Sequence, residues 1–70
     1  MNTYIATIRH HSIAAARSIE ISGSLTQAKR AATKEFGQEQ RDYIIVIGQK
    51  HLGGQVEIVS SRRVGDKTWA

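Results

Sequence analysis

The stretch that decides the fold runs from Ser24 to Gly37 and reads SLTQAKRAATKEFG. Ser24 and Gln27 have the spacing of a capping box, in which each side chain bonds a backbone N–H of the other residue and starts a helix. Gly37 is predicted to end that helix as a left-handed residue. An apolar stripe recurs between them at the helical period, and it comprises Leu25, Ala28, Ala32 and Phe36.

The other side of this helix is basic. Arg30 and Lys34 are four residues apart and project away from the apolar stripe, with Lys29 on its flank. Like charges at this spacing destabilise an isolated helix by a few tenths of a kcal/mol. Two interpretations stay open at this point: the face binds an acidic partner, or it is an ordinary solvated surface.

Short segments on either side of the helix alternate between apolar and polar residues, which is typical of strands. The predicted strands are 3–9, 17–22, 43–47, 55–61 and a short final strand at 67–69. The segment 48–54, with its Gly-Gly pair, is predicted to be a loop, and Gly65-Asp66 a turn. Residues 13–19 have helix as an alternative, since three consecutive alanines favour it.

The predicted order is ββαβββ, an α+β fold with a five-stranded antiparallel sheet and one helix packed across one face. Short connections between neighbouring strands favour the antiparallel arrangement. A chain of 70 residues has room for one core, so residues 1–70 are predicted to form a single domain. Because so small a core contributes little net stability, dimerisation with a second copy is retained as one way to gain stability.

Composition restricts the function classes. The chain is 40% hydrophobic, which argues against disorder, and it has no cysteine for a disulfide or a thiolate metal site. No segment approaches the ~20 apolar residues that span a bilayer, and the N-terminus lacks the apolar run of a signal peptide. We therefore expect a cytoplasmic protein that does not enter a membrane.

Catalytic and metal signatures are not expected either. His10 and His11 are neighbours in or after a strand and are predicted to be surface or hairpin residues, while His51 has no spaced carboxylate partner. The loop 48–54 lacks the P-loop pattern, and nothing resembles a nucleophile elbow. The sequence predicts neither an enzyme nor a cofactor.

Excess positive charge is the clearest physical clue to function. Ten Lys and Arg face six Asp and Glu, a formal net charge of +4, which suits a phosphate backbone or an acidic protein surface. The candidate binding residues are Lys29, Arg30, Lys34, Arg62, Arg63 and Lys67, with Arg9 and Arg17 adding charge from the first hairpin. Tyr4, Tyr43 and Trp69 are assigned to the core rather than to base stacking, Trp69 being the weakest of the three assignments.

Two segments carry a family resemblance. The helix pattern Leu25-x-Gln27-Ala28-Lys29-Arg30-x-Ala32-x-Lys34-Glu35, after the strand residues Ile19 and Ile21, resembles small phage-encoded anti-CRISPR proteins that inhibit the type I-F Cascade (Csy) surveillance complex. The ending Gly65-Asp66-Lys67-x-Trp69 is similar to the close of those proteins. The chain departs from them at Phe36, where they are polar, and in the loop 50–54.

The resemblance implies a bent five-stranded antiparallel sheet with one helix. It also implies binding to the repeated Cas backbone subunits of the complex, a block of guide RNA–target DNA pairing, and promotion of non-specific duplex DNA binding. Position by position, its basic helix residues correspond to Lys29, Arg30 and Lys34. The alternative from a different class is a small basic nucleic-acid-binding phage protein that uses the same face.

Overall fold

The computed structural model describes residues 2–10, 13–39 and 43–70. These residues form strand β1 (Asn2–His10), strand β2 (Ile13–Gly23), helix α1 (Leu25–Phe36), strand β3 (Tyr43–Lys50) and strand β4 (Val56–Arg63). No helix in this part of the chain is long and apolar enough to cross a membrane. His11, which was predicted to lie in a turn or on the surface, is outside the described residues.

The strands form one antiparallel sheet in the order β2-β1-β3-β4. Strand β1 pairs with β2 on one side and with β3 on the other. Because β2 and β3 are both antiparallel to β1, they run parallel to each other, and such strands need a crossover connection. Helix α1 is that connection, and it lies across one face of the sheet.

The core lies between α1 and this face of the sheet. From Tyr4 to Ile8, every second residue of β1 is buried there, and β3 contributes Ile45 and Ile47 from the adjacent strand. The predicted stripe of α1 faces them, with Ala28, Ala32 and Phe36 buried and Leu25 packed at the margin. Small alanines let the helix approach the strands closely, while Phe36 fills the space beyond them. The buried apolar residues are Tyr4, Ala6, Ile8, Ala28, Ala32, Phe36, Ile45, Ile47 and Val64.

The start of α1 confirms the capping box. The Gln27 backbone N–H donates to Ser24 Oγ at 3.1 Å, and the Ser24 backbone N–H donates to Gln27 Oε1 at 2.8 Å. The reciprocal pair satisfies donors that the first turn of a helix leaves without partners.

The predicted left-handed end of α1 is wrong. Gly37 has φ −66° and ψ −15°, which is right-handed helical backbone. Glycine is required there for space, since a Cβ at this position would lie 2.4 Å from the Thr33 carbonyl oxygen.

Strand β2 begins earlier than predicted, and the helical alternative for residues 13–19 is wrong. The residues Ile13–Gly23 are one strand, paired with β1 from His10↔Ile13 to Asn2↔Gly23. Pairing of Ile13 and of residues 17–23 with β1 holds the alanine run between them in the strand, across a β-bulge, and this outweighs the weak local preference of alanine for helix.

The predicted fifth strand is also wrong, and the sheet that the described residues form has four strands. After Val64 the chain turns at Gly65, where φ is +94°, and the Asp66 N–H bonds the Arg63 carbonyl at 3.0 Å. Only Ala70 returns to the sheet edge, where it exchanges backbone hydrogen bonds of 2.8 and 3.2 Å with Ser61. Docking of the Trp69 side chain beside α1 bends the residues before Ala70 away from an extended pairing.

Gly48 lies inside β3 rather than at the start of a loop. It pairs with Ile58 of β4 on the sheet face opposite α1, next to a β-bulge. A Cβ on Gly48 would lie 2.4 Å from Cγ1 of Val56 and 3.7 Å from Cδ1 of Ile58. The absence of a side chain at Gly48 therefore makes room for two apolar side chains of the neighbouring strand.

Gly48→Ala is expected to lower the free energy of unfolding by about 1–3 kcal/mol, because the added methyl overpacks the contact with Val56. Val56 is 48% exposed, so Val56→Ala alone should cost less than ~1 kcal/mol. The double variant should recover most of the loss, as measured by urea denaturation. Strictly additive costs in the double-mutant cycle would contradict the contact.

Candidate functional site

One surface of α1 carries polar side chains at helical spacing and no carboxylate. Its residues are three and four apart, so they lie on one stripe of the helix. Together with Trp69, this stripe lines a shallow open groove, which we call the basic groove: Thr26, Lys29, Arg30, Thr33, Lys34 and Trp69. The sequence therefore builds a core-facing stripe and a cationic stripe on the same twelve-residue helix.

Trp69 brings together cations from two elements. Its ring centroid lies 5.8 Å from Lys29 Nζ of α1 and 4.6 Å from Cζ of Arg62 of β4. Both distances fall in the range in which the negative face of an indole attracts a cation. The indole thus attracts both cations, and this attraction offsets their mutual repulsion.

A hydrogen-bonded link fixes the same two elements. Arg62 Nη2 donates to Thr33 Oγ1 at 2.8 Å, and the Thr33 hydroxyl donates to the Lys29 carbonyl oxygen at 2.8 Å. Arg62 Nε is buried with no partner among the described residues. The guanidinium is therefore positioned by its contact with Trp69 and its bond to Thr33, and the planar geometry of arginine suits both.

The groove cations have no carboxylate partner among the described residues, and the same holds for Arg9, Arg63 and Lys67, whereas Arg17 and Lys50 are paired. Arg17 pairs with Glu39 at 2.9 Å, and Lys50 approaches Glu20 at 3.8 Å. The prediction that His51 has no carboxylate partner is wrong, because its Nε2 lies 3.0 Å from Glu57 Oε1. No described carboxylate lies within ion-pairing distance of Lys29, Arg30, Lys34 or Arg62. Four of the seven described Lys and Arg residues without a carboxylate partner thus lie at the groove, where they favour an anionic ligand.

The predicted binding residues divide into two groups. Lys29, Arg30 and Lys34 line the groove, and Arg62 joins them through Trp69 and Thr33. Arg62 pairs with Ile45 and Arg63 with Ile44, so the two arginines point to opposite faces of the sheet. Arg63 therefore lies away from the groove, and Lys67 is exposed in the segment before Trp69 without lining it.

The sequence analysis missed Thr26, Thr33 and the connecting role of Trp69. The two threonines could have been found, because they repeat at the spacing of the basic residues. Trp69 is partly buried at the margin of the core, as assigned, but it also forms one wall of the groove. Its contact with Lys29 joins residues forty positions apart, and no local pattern reports such a contact.

The groove can bind but offers little for acid–base chemistry. Its lining provides ammonium, guanidinium and hydroxyl donors and one aromatic ring, with neither histidine nor carboxylate. Across the described ranges, no cluster of three or more His, Asp or Glu residues could hold a metal ion. Binding of phosphate or carboxylate groups is the chemistry that this lining fits.

Comparison with protein-family models, with curated proteins and with solved structures finds no significant match to this chain. The resemblance carried by the helix pattern and by the Gly65–Trp69 ending therefore rests on those residues alone.

Arg62→Lys is expected to lower the free energy of unfolding by about 1 kcal/mol and to shift the emission of Trp69 to longer wavelength. Lysine keeps the charge but loses the planar contact with the indole and the geometry of the bond to Thr33. The chain has a single tryptophan, so its fluorescence reports this site alone. Arg63→Lys is the matched control and should change neither quantity; equal effects of the two variants would contradict the contact.

Proposed function

We propose that this protein is an inhibitor that binds the Cas backbone subunits of a type I CRISPR surveillance complex and blocks pairing of guide RNA with target DNA. The single observation that carries the proposal is the basic groove, whose cations have no carboxylate partner among the described residues. The guide RNA of a surveillance complex carries anionic phosphates along the stretch where target DNA pairs with it. A groove of unpaired cations with an aromatic wall is complementary to such features.

The resemblance supports the same proposal. The segment that carries it builds α1, and its three basic residues all line the groove. Phe36, where the chain departs from that family, is buried against the sheet and not in the groove. The departure at Phe36 thus changes the core rather than the proposed contact surface.

The proposed site of action is the cytoplasm of the host bacterial cell, where surveillance complexes bind DNA. Cations left uncovered after binding would also attract duplex DNA non-specifically to the inhibited complex. Lys67, which is exposed beside the groove without lining it, is the residue proposed for that secondary contact.

The groove proposal is tested with a charge-reversal pair. Arg30→Glu with Lys34→Glu should weaken binding to a purified type I-F surveillance complex by roughly 30-fold or more, because each reversal replaces an attraction of up to ~1 kcal/mol with a repulsion. Arg9→Glu with Arg63→Glu changes the net charge equally on the opposite sheet face and should bind nearly as the parent does. Binding is measured by pull-down, and loading of target DNA by gel shift.

Both pairs should retain the fold, because Arg30, Lys34, Arg9 and Arg63 are exposed and their charged groups bond no described side chain. Equal loss in both pairs would mean that net charge, not the groove, determines binding. Unchanged binding of the groove pair would refute the proposal.

The salt dependence of binding distinguishes a nucleic-acid-binding protein from an inhibitor of the complex. Free duplex DNA is run in parallel between about 50 and 200 mM salt, where a protein that contacts several phosphates loses affinity steeply. For an inhibitor, we expect binding to the complex at moderate salt and little binding to free duplex. Tight, salt-sensitive binding to duplex without the complex would assign the protein to the nucleic-acid-binding class instead.

A further inference from the structure

The outer edge of β4 is covered at one end and open at the other. Ala70 exchanges two backbone hydrogen bonds with Ser61 and accepts a third from Ser60 Oγ at 2.9 Å. Its bonds to Ser61 show that this edge accepts an antiparallel neighbour. Toward the start of β4, no described residue bonds the outward backbone groups of Val56 or Ile58.

The register determines which groups face outward. The Gln55 carbonyl accepts from the His51 N–H at 2.7 Å, so Gln55 points inward toward β3. Because backbone groups alternate along a strand, Val56 and Ile58 present their N–H and C=O outward and Glu57 points inward. A β-bulge lies between Ile58 and Ser60, and its extra residue shifts the alternation so that the backbone groups of Ser61 point outward.

The side chains of this open segment are unusually apolar for a free edge. Val56 is 48% and Ile58 62% exposed, and Leu52, in the adjoining turn, is fully exposed. Natural sheets usually protect such edges with lysine, proline or a covering segment. Here the open segment carries only one charge, that of Glu57, whose side chain is 66% exposed on the α1 side of the sheet and lies 3.0 Å from His51 Nε2 through one oxygen, Oε1.

A second copy of the chain fits this edge poorly. Antiparallel pairing that sets Val56 opposite Ile58 of the other copy also sets Glu57 opposite Glu57, and directly opposed like charges are destabilising. If the two-fold axis passes through Ile58 instead of Glu57, the partner strand lies against Ser60 and Ser61, where Ala70 already pairs. Moving the axis one residue back runs into the turn at Gly54, where φ is +86°.

We propose that the open segment of β4, Val56–Ile58, adds an extended strand from another protein, with apolar residues opposite Val56 and Ile58 and a cationic residue opposite Glu57. Strand addition of this kind gains affinity from main-chain hydrogen bonds and specificity from alternate side chains. Apolar partner side chains would cover Val56 and Ile58 on the face opposite α1, and the cation would pair with the Glu57 carboxylate beside its contact with His51. This surface is separate from the basic groove, so it stands whether or not the proposed function holds.

The test uses the peptide acetyl-Thr-Val-Lys-Val-Thr-amide, titrated into the isotope-labelled protein. We expect chemical-shift changes and slower hydrogen exchange at the amides of Val56 and Ile58, with Ser61 unchanged. The same peptide with Glu in place of Lys should bind this edge roughly 3- to 10-fold more weakly, because it places a like charge instead of an opposite charge across from Glu57. A version N-methylated at its pairing amides should not bind the edge.

Two lysine substitutions provide matched protein variants. Ile58→Lys should abolish the response, while Leu52→Lys makes the same charge change off the strand and should retain it. Both positions are exposed, so both variants should fold. The proposal is overturned by an unchanged response in Ile58→Lys, by equal binding of the N-methylated peptide, or by a dimer that Ile58→Lys dissociates in sedimentation, which would make a second copy the occupant.

Discussion

Packing of α1 against the two central strands is the contact on which the rest of the structure depends. The sheet has one helix to cover it among the described residues, so one side of the core must come from one twelve-residue stretch. Ala28 and Ala32 allow close approach, and Phe36 supplies the bulk. Because the apolar residues occupy one stripe, every basic residue of α1 is left on the outside. The charge of the groove is thus a geometric consequence of a helix that packs on one side only.

The segment after β4 adds contacts that stabilise a small core. Small domains bury a low fraction of their surface and have little stability to spare. Trp69 packs at the margin of the core between α1 and β4, and Ala70 pairs with Ser61. The same tryptophan contacts Lys29 and Arg62, so one side chain contributes both to the packing of the core and to the shape of the groove.

Features that depend on local sequence were predicted, and features that depend on distant contacts were not. The capping box at Ser24, the buried stripe of α1 and the antiparallel sheet follow from spacing within a few residues. The fifth strand was wrong because residues 67–69 follow the docking of Trp69 rather than their own alternation. Arg62 and Arg63 were grouped as neighbours, yet strand geometry separates them to opposite faces. Gly37 and Gly48 were assigned by the usual conformational role of glycine, while the structure uses them for space against Thr33 and Val56.

Where Ala70 meets the sheet determines how the two surfaces are arranged. By pairing at Ser61, it places Trp69 beside Lys29 and leaves the start of β4 uncovered. A full fifth strand along β4 would have covered Val56 and Ile58 and drawn Trp69 into the strand alternation. The position of Ala70 therefore shapes the cationic groove, and among the described residues the apolar edge has no neighbour. The two surfaces favour opposite partner chemistry, anionic at the groove and apolar with a cation at the edge, so one partner segment is poorly suited to both.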